Sequence, residues 1–396
     1  MDALLAGSYS WLMYFVVPLI STVLVFYPIL QVAKRKNLMD TPDERKQQKS
    51  PVPVLGGIAV FFGIIVGMMF LNLQLAGSSL FPMVSAMVVM MYIGFIDDII
   101  NIKPSARLIM EMLVAFVLIF GMKSYICNFQ GLWGVQKLSA LIGIPLSIVT
   151  FVGVVNAINM VDGIDGLSSS LCIRIIGCLG SLLHLCGNHA FSALAIMEIG
   201  ALLPFFLHNV FGSATKMFIG DSGTMMVGTS ISAMLMSILG NEQTLHELHP
   251  QLDFSLIAFC LAVLSIPVAD TLRVMFCRIL NHRSPFSPDQ THLHHLFIKL
   301  GFSYISVTCS ELLLDIAVIG TFFLSWTLGA SVDLQLYITI AAAALADFGV
   351  AALLAVANRK QDKVCIVLQK VASHSHLEEK KFWKVTQNLV DRKYRK

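Results

Sequence analysis

Long apolar runs alternate with short polar gaps along the chain. Eleven of these runs approach the length of about 20 residues that a helix needs to cross the hydrocarbon core of a bilayer. They lie at about 11–32, 54–75, 80–96, 105–123, 140–158, 166–186, 190–211, 222–240, 254–275, 303–327 and 332–357. No sustained alternation of polar and apolar residues indicates strands, and lipid tolerates only helices or closed barrels. The pattern therefore predicts an all-α, polytopic integral membrane protein with about eleven transmembrane helices.

The charged residues support this prediction and orient the chain. The sequence is 56% hydrophobic and 13% charged, whereas soluble domains carry roughly 25% charged residues. Segment 33–53 contains six Lys or Arg residues, and the part after residue 358 contains eleven. Because basic loops stay in the cytoplasm, we expect the N-terminus outside and the C-terminus inside. We expect a multi-pass domain over 1–357, with its functional loops in the cytoplasm, and a basic cytoplasmic tail over 358–396 that anchors to anionic lipid.

Two acidic motifs interrupt the apolar runs on this predicted cytoplasmic face. Asp97 and Asp98 end the third run. Adjacent carboxylates at a helix end can bind one divalent cation, or one can bind it while the other moves a proton. Asn159, Asp162 and Asp165 follow in Asn-Met-Val-Asp-Gly-Ile-Asp-Gly. Their spacing would place them on one helical face, whereas the two glycines favour a helix break close to a ligand. Under either interpretation two carboxylates and an amide converge.

A third motif begins the eighth run. Asp221 lies in Gly-Asp-Ser-Gly, which could leave backbone N–H groups free to bind an anion at a helix N-terminus while Asp221 ligates a metal. For the segment alone, a helix N-cap is an equally good interpretation. Asn209 and Lys216 lie upstream, where they could contact phosphate or sugar.

The longest polar gap contains Asp289, His292, His294 and His295, with Arg278 before it. A His-x-His-His cluster is one sign of zinc. The carboxylates of the other motifs favour Mg²⁺ or Mn²⁺ instead, because these ions prefer oxygen ligands. We therefore assign the histidines to hydrogen bonds with a diphosphate and keep zinc as the weaker alternative.

Charged residues also occur inside the apolar runs, where such groups are costly. Arg174 and Glu198 lie in consecutive runs at depths that long side chains could bridge. We predict a structural Arg174–Glu198 ion pair, with Glu111, Glu311 and Asp315 as rival partners for the arginine.

Four motifs in this order resemble one known family. They are Asp97-Asp98, Asn159–Gly166, Phe218-Ile-Gly-Asp-Ser-Gly223 and Ser284-Pro-Phe-Ser-Pro-Asp-x-x-His-Leu-His-His295. The chain resembles the polyprenyl-phosphate N-acetylhexosamine-1-phosphate transferases over about residues 33–302. The closing His-x-His-His motif is similar to the WecA branch, whereas the MraY branch tends to have three adjacent histidines. Gln48 stands where relatives often have His, and Glu111 replaces a more usual Gln.

The resemblance implies a reaction. A Mg²⁺-dependent enzyme, with Mn²⁺ as an alternative ion, would transfer N-acetylglucosamine-1-phosphate, or that of a related hexosamine, from a UDP-sugar to undecaprenyl phosphate and release UMP. It would act in the bacterial plasma membrane, with its site facing the cytoplasm, in the first step of a cell-surface polysaccharide pathway. Relatives imply a homodimer, and nothing suggests a nucleic-acid partner.

The resemblance also implies a role for each motif. Asp221, with Asp162, would hold the metal, and Asp98, beside Asp97, would deprotonate or orient the lipid phosphate. The remaining candidates would bind the nucleotide sugar or phosphate: Lys46, Asn159, Asp165, Asn209, Lys216, Arg278, Asp289, His292, His294 and His295.

Two other functions remain to be weighed. An MraY-type phospho-N-acetylmuramoyl-pentapeptide transferase would use the same chemistry on a different sugar. A secondary transporter would place ionisable residues near the bilayer midplane and in paired repeats. Here the aspartates lie at one surface, which favours the enzyme.

Overall fold

A computed structural model describes residues 9–41, 50–71, 79–240, 253–285, 287, 289–360 and 363–392. The segments between them, which include the predicted substrate-binding Lys46, lie outside the described residues. The α-helices of the described part are α1 (Tyr9–Arg35), α2 (Gly56–Met68), α3 (Leu80–Ile100), α4 (Pro104–Met122), α5 (Ala140–Met160), α6 (Leu167–Leu185), α7 (His189–Phe211), α8 (Gly220–Leu239), α9 (Leu256–Val263), α10 (Ser265–Leu280), α11 (Leu293–Lys299), α12 (Tyr304–Thr327), α13 (Val332–Ala344), α14 (Val350–Lys360), α15 (Lys363–His374) and α16 (Lys381–Val390).

Short elements complete this fold. A π-helical turn, Leu345–Gly349, joins α13 to α14, and a 3₁₀ turn, Leu377–Glu379, precedes α16. Strands β1 (Met39–Asp40) and β2 (Val52–Pro53) pair antiparallel, as do β3 (Asn128–Leu132) and β4 (Val135–Lys137). These two ribbons lie between helices and do not form a core of their own.

Each of the eleven predicted apolar runs overlaps at least one helix of the described residues. Within the described residues, nine helices are long and apolar enough to cross a membrane. The pair α9 and α10 adds a tenth crossing if it is one span, and it bends by 74° at its break. The remaining run, 54–75, contains the shorter helix α2. The predicted all-α, polytopic membrane fold is therefore confirmed, while the number of crossings and the orientation of the termini stay predictions.

Helix α8 lies at the centre of the bundle and brings the acidic motifs together. It packs against α2, α3, α5 and α6, and nearly all of its residues are buried. Gly94 of α3 lies against the start of α8 so closely that a Cβ atom there would be 2.4 Å from the carbonyl oxygen of Asp221. A Cβ on Gly57 of α2 would likewise be 2.4 Å from the Cα of Gly223. Backbone contact therefore sets the position of Asp221 relative to α2 and α3.

The predicted Arg174–Glu198 ion pair is wrong. The Arg174 guanidinium contacts the carboxylate of Asp315 on α12, one of the rival partners, and donates to the carbonyl oxygen of Val263 at 2.7 Å. Glu198 instead accepts a hydrogen bond from Ser230 of α8. The two side chains, on α6 and α7, therefore face different neighbours.

Candidate functional site

Four predicted aspartates line one polar cavity of about 360 Å³ at the ends of α3, α5 and α8. They are Asp97, Asp98, Asp162 and Asp221, and His295 also lines the cavity. All four come from points where an apolar helix begins or ends, so the cavity lies at one end of the bundle. The structure thus brings three sequence motifs and part of the fourth to one place.

The Asp97-Asp98 pair holds backbone at two helix ends. Both carboxylate oxygens of Asp98 accept hydrogen bonds from the start of α8, at 2.9 Å from the N–H of Asp221 and 3.2 Å from that of Ser222. Asp97 accepts from the N–H of Ile102 at 2.7 Å, where α3 turns into α4. Carboxylates are favourable at helix N-termini because they satisfy unpaired N–H groups and complement the helix dipole. Asp98 therefore fixes the position of Asp221.

Asn159, near the end of α5, joins this arrangement. Its side-chain N–H donates to Asp221 Oδ1 at 2.7 Å and to Thr224 Oγ1 at 2.8 Å. Its side-chain oxygen accepts from Arg107 at 3.0 Å. The amide orientation follows from these partners, since one end meets acceptors and the other meets a donor. Asn159 thus orients Asp221.

Arg107 is the residue at this site that sequence reasoning missed. Its guanidinium lies 3.1 Å from Asp97 Oδ2, 3.0 Å from Glu111 Oε1 and 3.7 Å from Asp221 Oδ2. It also donates to Asn156, which in turn donates to Glu111. Arg107 and Glu111 are one helical turn apart on α4, a spacing that favours an ion pair. That spacing was visible in the sequence and could have identified the residue.

Asp162 and Asp165 diverge because the chain leaves the helix between them. Residues 161–166 form turns, which confirms the predicted helix break in place of a shared helical face. Asp162 accepts a hydrogen bond from Ser168. Burial raises the pKa of Asp162 to about 7 in spite of that hydrogen bond, and the negative charge of Asp221 adds to the rise.

Asp165 turns away from this cavity and pairs with Lys216. Burial raises its pKa, and the ammonium group of Lys216 opposes that rise. Asp165 lines a separate cavity of about 350 Å³ with Tyr304 of α12 and Trp383 of α16. Asn209 lines the first cavity, and its side chain accepts from the N–H of Gly166 at 2.7 Å. Asn209 therefore holds the turn that separates the two cavities.

The three histidines have different surroundings. His292 Nδ1 lies 2.6 Å from Asp270 Oδ2, and Asp270 Oδ1 accepts from the N–H of Leu293 at 2.9 Å. His294 is buried against the Gly163 turn, where a Cβ would lie 2.3 Å from its Nε2. His295 lines the cavity of the aspartates.

Burial also sets the charge of two of these imidazoles. It lowers the pKa of His294 well below its usual value and, together with the charge of His292, lowers the pKa of His295 to about 4. Both rings are therefore neutral near pH 7. Among the described residues, no group of three or more His, Cys, Asp or Glu side chains is arranged to hold a metal ion. The zinc alternative gains no support from the His-x-His-His motif.

The structure does not bring Arg278 and Asp289 to the lining of the cavity. Arg278 forms a two-point ion pair with Asp289 at 2.9 and 3.1 Å and donates to the carbonyl oxygen of Pro285. Burial alone would raise the pKa of Asp289, but hydrogen bonds from Arg278 and Thr291 outweigh it and lower the pKa. This pair fixes the loop before the histidines.

Comparison with known proteins adds an independent observation. A family model described as glycosyl transferase family 4 matches residues 80–239, the segment that contains the first three acidic motifs and Arg107. A protein of Yersinia pestis named undecaprenyl-phosphate alpha-N-acetylglucosaminyl 1-phosphate transferase is 29% identical over 310 residues, which cover 75% of this chain and 82% of the relative.

Two other relatives with names of the same kind have similar identity and coverage. The Escherichia coli K12 protein of the same name is 28% identical, covering 75% of this chain and 79% of the relative. A Bacillus subtilis protein named probable undecaprenyl-phosphate N-acetylglucosaminyl 1-phosphate transferase is 28% identical, covering 73% and 78%. The resemblance predicted from the four motifs is therefore confirmed.

Carboxylates around the cavity suit a divalent cation chemically, although no three of them are arranged as metal ligands among the described residues. Asp98, Asp162 and Asp221 present carboxylates to the same space. The nearby guanidinium of Arg107 lies 3.7 Å from Asp221, but it also pairs with Asp97 and Glu111, so its single positive charge is shared by three carboxylates. Carboxylates that face each other in a partly buried space favour a bound cation, and oxygen donors suit Mg²⁺ or Mn²⁺. Asp221 and Asp162 are the residues that would hold it.

Proposed function

We propose that the protein transfers N-acetylglucosamine-1-phosphate from UDP-N-acetylglucosamine to undecaprenyl phosphate. One phosphate oxygen of the lipid attacks the sugar-linked phosphorus of the UDP-sugar. The bond between that phosphorus and the bridging oxygen breaks, and UMP leaves with this oxygen. The products are a lipid-linked diphosphosugar and UMP.

The observation that carries this proposal is the cluster of carboxylates in a cavity at the ends of membrane-spanning helices. One substrate arrives from water and the other stays in lipid, so both can meet only at such a level. The names of the relatives agree with this reaction. A transporter would not require acidic residues at this level, and the relatives named above carry the name of the N-acetylglucosaminyl transferase.

A divalent cation held by Asp221 and Asp162 would supply neutralisation of the charge that develops on the diphosphate. Asp98 and Asn159 orient Asp221 from two sides through the hydrogen bonds described above. His295, which is neutral near pH 7, can donate one ring N–H to a phosphate oxygen. Lys216 forms an ion pair with Asp165, in the turn formed by residues 161–166. Each of these residues acts by position and charge.

The geometry favours direct displacement over an aspartyl-phosphate intermediate. Both oxygens of Asp98 accept backbone hydrogen bonds, which makes each of them a weaker nucleophile toward phosphorus. A phosphate monoester has a second pKa near 6 and is mostly dianionic at pH 7, so it needs no strong base. Asp98 therefore acts mainly by orienting Asp221, in addition to any contact with the lipid phosphate.

The test uses purified protein in nanodiscs, undecaprenyl phosphate and a panel of UDP-sugars, with release of UMP as the readout. We expect release only with the lipid phosphate and Mg²⁺ or Mn²⁺ present, and fastest with UDP-N-acetylglucosamine. Asp221→Asn should abolish release at every Mg²⁺ concentration, whereas Asp253→Asn, which changes an exposed carboxylate before α9, should leave it unchanged. Near-normal release by Asp221→Asn would remove this residue from the metal site.

The orientation and assembly of the enzyme belong to the same proposal. We propose a plasma-membrane enzyme with the cavity on the cytoplasmic side, since α1 ends in Lys34 and Arg35 a few residues before Asp40, which lines the cavity. The homodimer implied by the resemblance stays a prediction, which the mass of the particle in detergent would test.

A further inference from the structure

The two C-terminal helices carry the same pattern of exposed apolar side chains. We call this pattern the tail stripe. Its members are Val364, Val367 and Val371 on α15 and Phe382, Val385 and Leu389 on α16. In each helix the three residues have the spacing i, i+3, i+7, which places them on one helical face. The stripe is therefore a continuous apolar surface on each helix, although it faces away from the protein.

A second face of each helix packs against the protein. Cys365 and Ala372 of α15 are buried. Trp383 of α16 is buried against Phe211 at the end of α7, with ring centroids 4.5 Å apart. The tail stripe is thus what remains after the helices have packed, and it is not the face that holds them in place.

Contacts at the end of α16 place this helix beside the ends of α1 and α7. Asp391 accepts hydrogen bonds from the N–H groups of Ser213, Ala214 and Thr215, directly after α7 ends. The hydroxyl of Tyr27 donates to the carbonyl oxygen of Val390 at 3.0 Å. Tyr27 precedes the end of α1 by eight residues, or about 12 Å at 1.5 Å per residue. The end of α16 therefore lies on the bilayer side of the end of α1.

The charged side chains within α15 and α16 are all basic. Neither α15 nor α16 contains Asp or Glu. Lys363 and Lys370 flank the stripe on α15, and Lys381 flanks it on α16. Amphipathic helices with lysines beside an apolar face bind anionic bilayer surfaces, where each basic residue near the surface contributes about 1 kcal/mol.

We propose that the tail stripe inserts into the headgroup layer of an anionic bilayer on the side of the bundle that holds the cavities. The face of α16 turned away from the stripe contributes Lys384 and Gln387 to the cavity that contains Asp165. Docking of α16 therefore also holds one wall of that cavity. The proposal concerns the position of the tail and does not depend on the proposed reaction.

Nitroxide labels on full-length protein in nanodiscs test the insertion directly. Ile366 and Val367 are neighbours with similar exposure, 62% and 59%, but only Val367 belongs to the stripe. Each is changed to Cys in a background of Cys277→Ser and Cys309→Ser, which removes the exposed thiols. The spectrum of that background is subtracted. We expect the label at 367 to be accessible to oxygen and shielded from a water-soluble nickel chelate, and the label at 366 to show the reverse. Equal accessibility of the two labels would overturn the proposal.

A second experiment tests the role of anionic lipid. Trypsin cleavage at the lysines of α16 is followed in nanodiscs of phosphatidylglycerol and of phosphatidylcholine. We expect cleavage to be several-fold slower in phosphatidylglycerol, and the combined variant Phe382→Gln, Val385→Gln, Leu389→Gln to lose this difference. Ile366→Gln, an exposed residue outside the stripe, should keep it. Equal cleavage of the unchanged protein in both lipids would contradict the predicted preference for anionic lipid, whatever the transfer activity of the sample.

Discussion

Arg107 offers the sharpest test of how the site is held together. Its guanidinium contacts Asp97 and Glu111 directly and lies 3.7 Å from Asp221. Arg107→Met would keep most of the side-chain volume but leave these carboxylates without their shared cation. Removing one partner of a buried ion pair costs about 3–5 kcal/mol. Because the Arg107 side chain is 15% exposed, we expect the lower end, about 3 kcal/mol of unfolding free energy.

The measurement is unfolding in mixed micelles followed by circular dichroism, together with release of UMP. Lys103→Met is the matched control, because Lys103 lies one turn earlier, is exposed and carries the same charge. A loss for Arg107→Met no larger than that for Lys103→Met would refute the argument.

A second variant separates charge from packing. Glu111 is fully buried, and its carboxylate contacts Arg107 and Asn156. If like charges cause the loss, adding Glu111→Gln to Arg107→Met should recover part of it, with a coupling of about 1 kcal/mol or more. Additive losses from the two changes would instead assign the effect of Arg107 to packing.

Three further outcomes are expected. Asp391→Asn weakens charge-assisted hydrogen bonds from three backbone N–H groups. It should weaken the docking of α16 by about 1–3 kcal/mol and make the tail easier to cleave with trypsin. Unchanged cleavage would contradict this anchoring role of Asp391. The pKa of Asp162 is raised to about 7 in the folded protein. Without divalent cations, the thermal midpoint should therefore fall as the pH rises from about 4, the ordinary pKa of an Asp, toward 7. Asp162→Asn should make the midpoint less dependent on pH over that range. Arg174→Met should lower the thermal midpoint strongly, and adding Asp315→Leu should restore it. Restoration by a change at Glu198 instead would support the Arg174–Glu198 ion pair.

Much of the fold was predictable because lipid imposes a simple rule on sequence. A helix that crosses a bilayer must be predominantly apolar over about 20 residues, so each crossing appears in the sequence as a long apolar run. The acidic motifs were also located correctly at helix ends, and Asp98, Asp162 and Asp221 do line one cavity. The position of a residue along the membrane normal can therefore be predicted from its place within its own apolar run.

The partners of buried charges were less predictable. Arg174 meets Asp315 because α6 faces α12, and Asp165 meets Lys216 because the chain turns sharply after Asp162. The rotation of a helix about its axis depends on the packing of every neighbour, and an apolar run contains little information about it when all of its faces are hydrophobic. Arg107 was missed for a related reason, since its importance arises from residues on three other elements.

The backbone contacts of α8 also bear on how such a protein can change over time. Gly94 and Gly57 bring α3 and α2 against the start of α8 with no side chain between them. The spacing of Asp98 and Asp221 is consequently set by main-chain thickness, which substitutions elsewhere in the core cannot alter. Exchanges of apolar residues elsewhere in the bundle should therefore leave the distance between these two carboxylates nearly unchanged, provided that both glycines are kept.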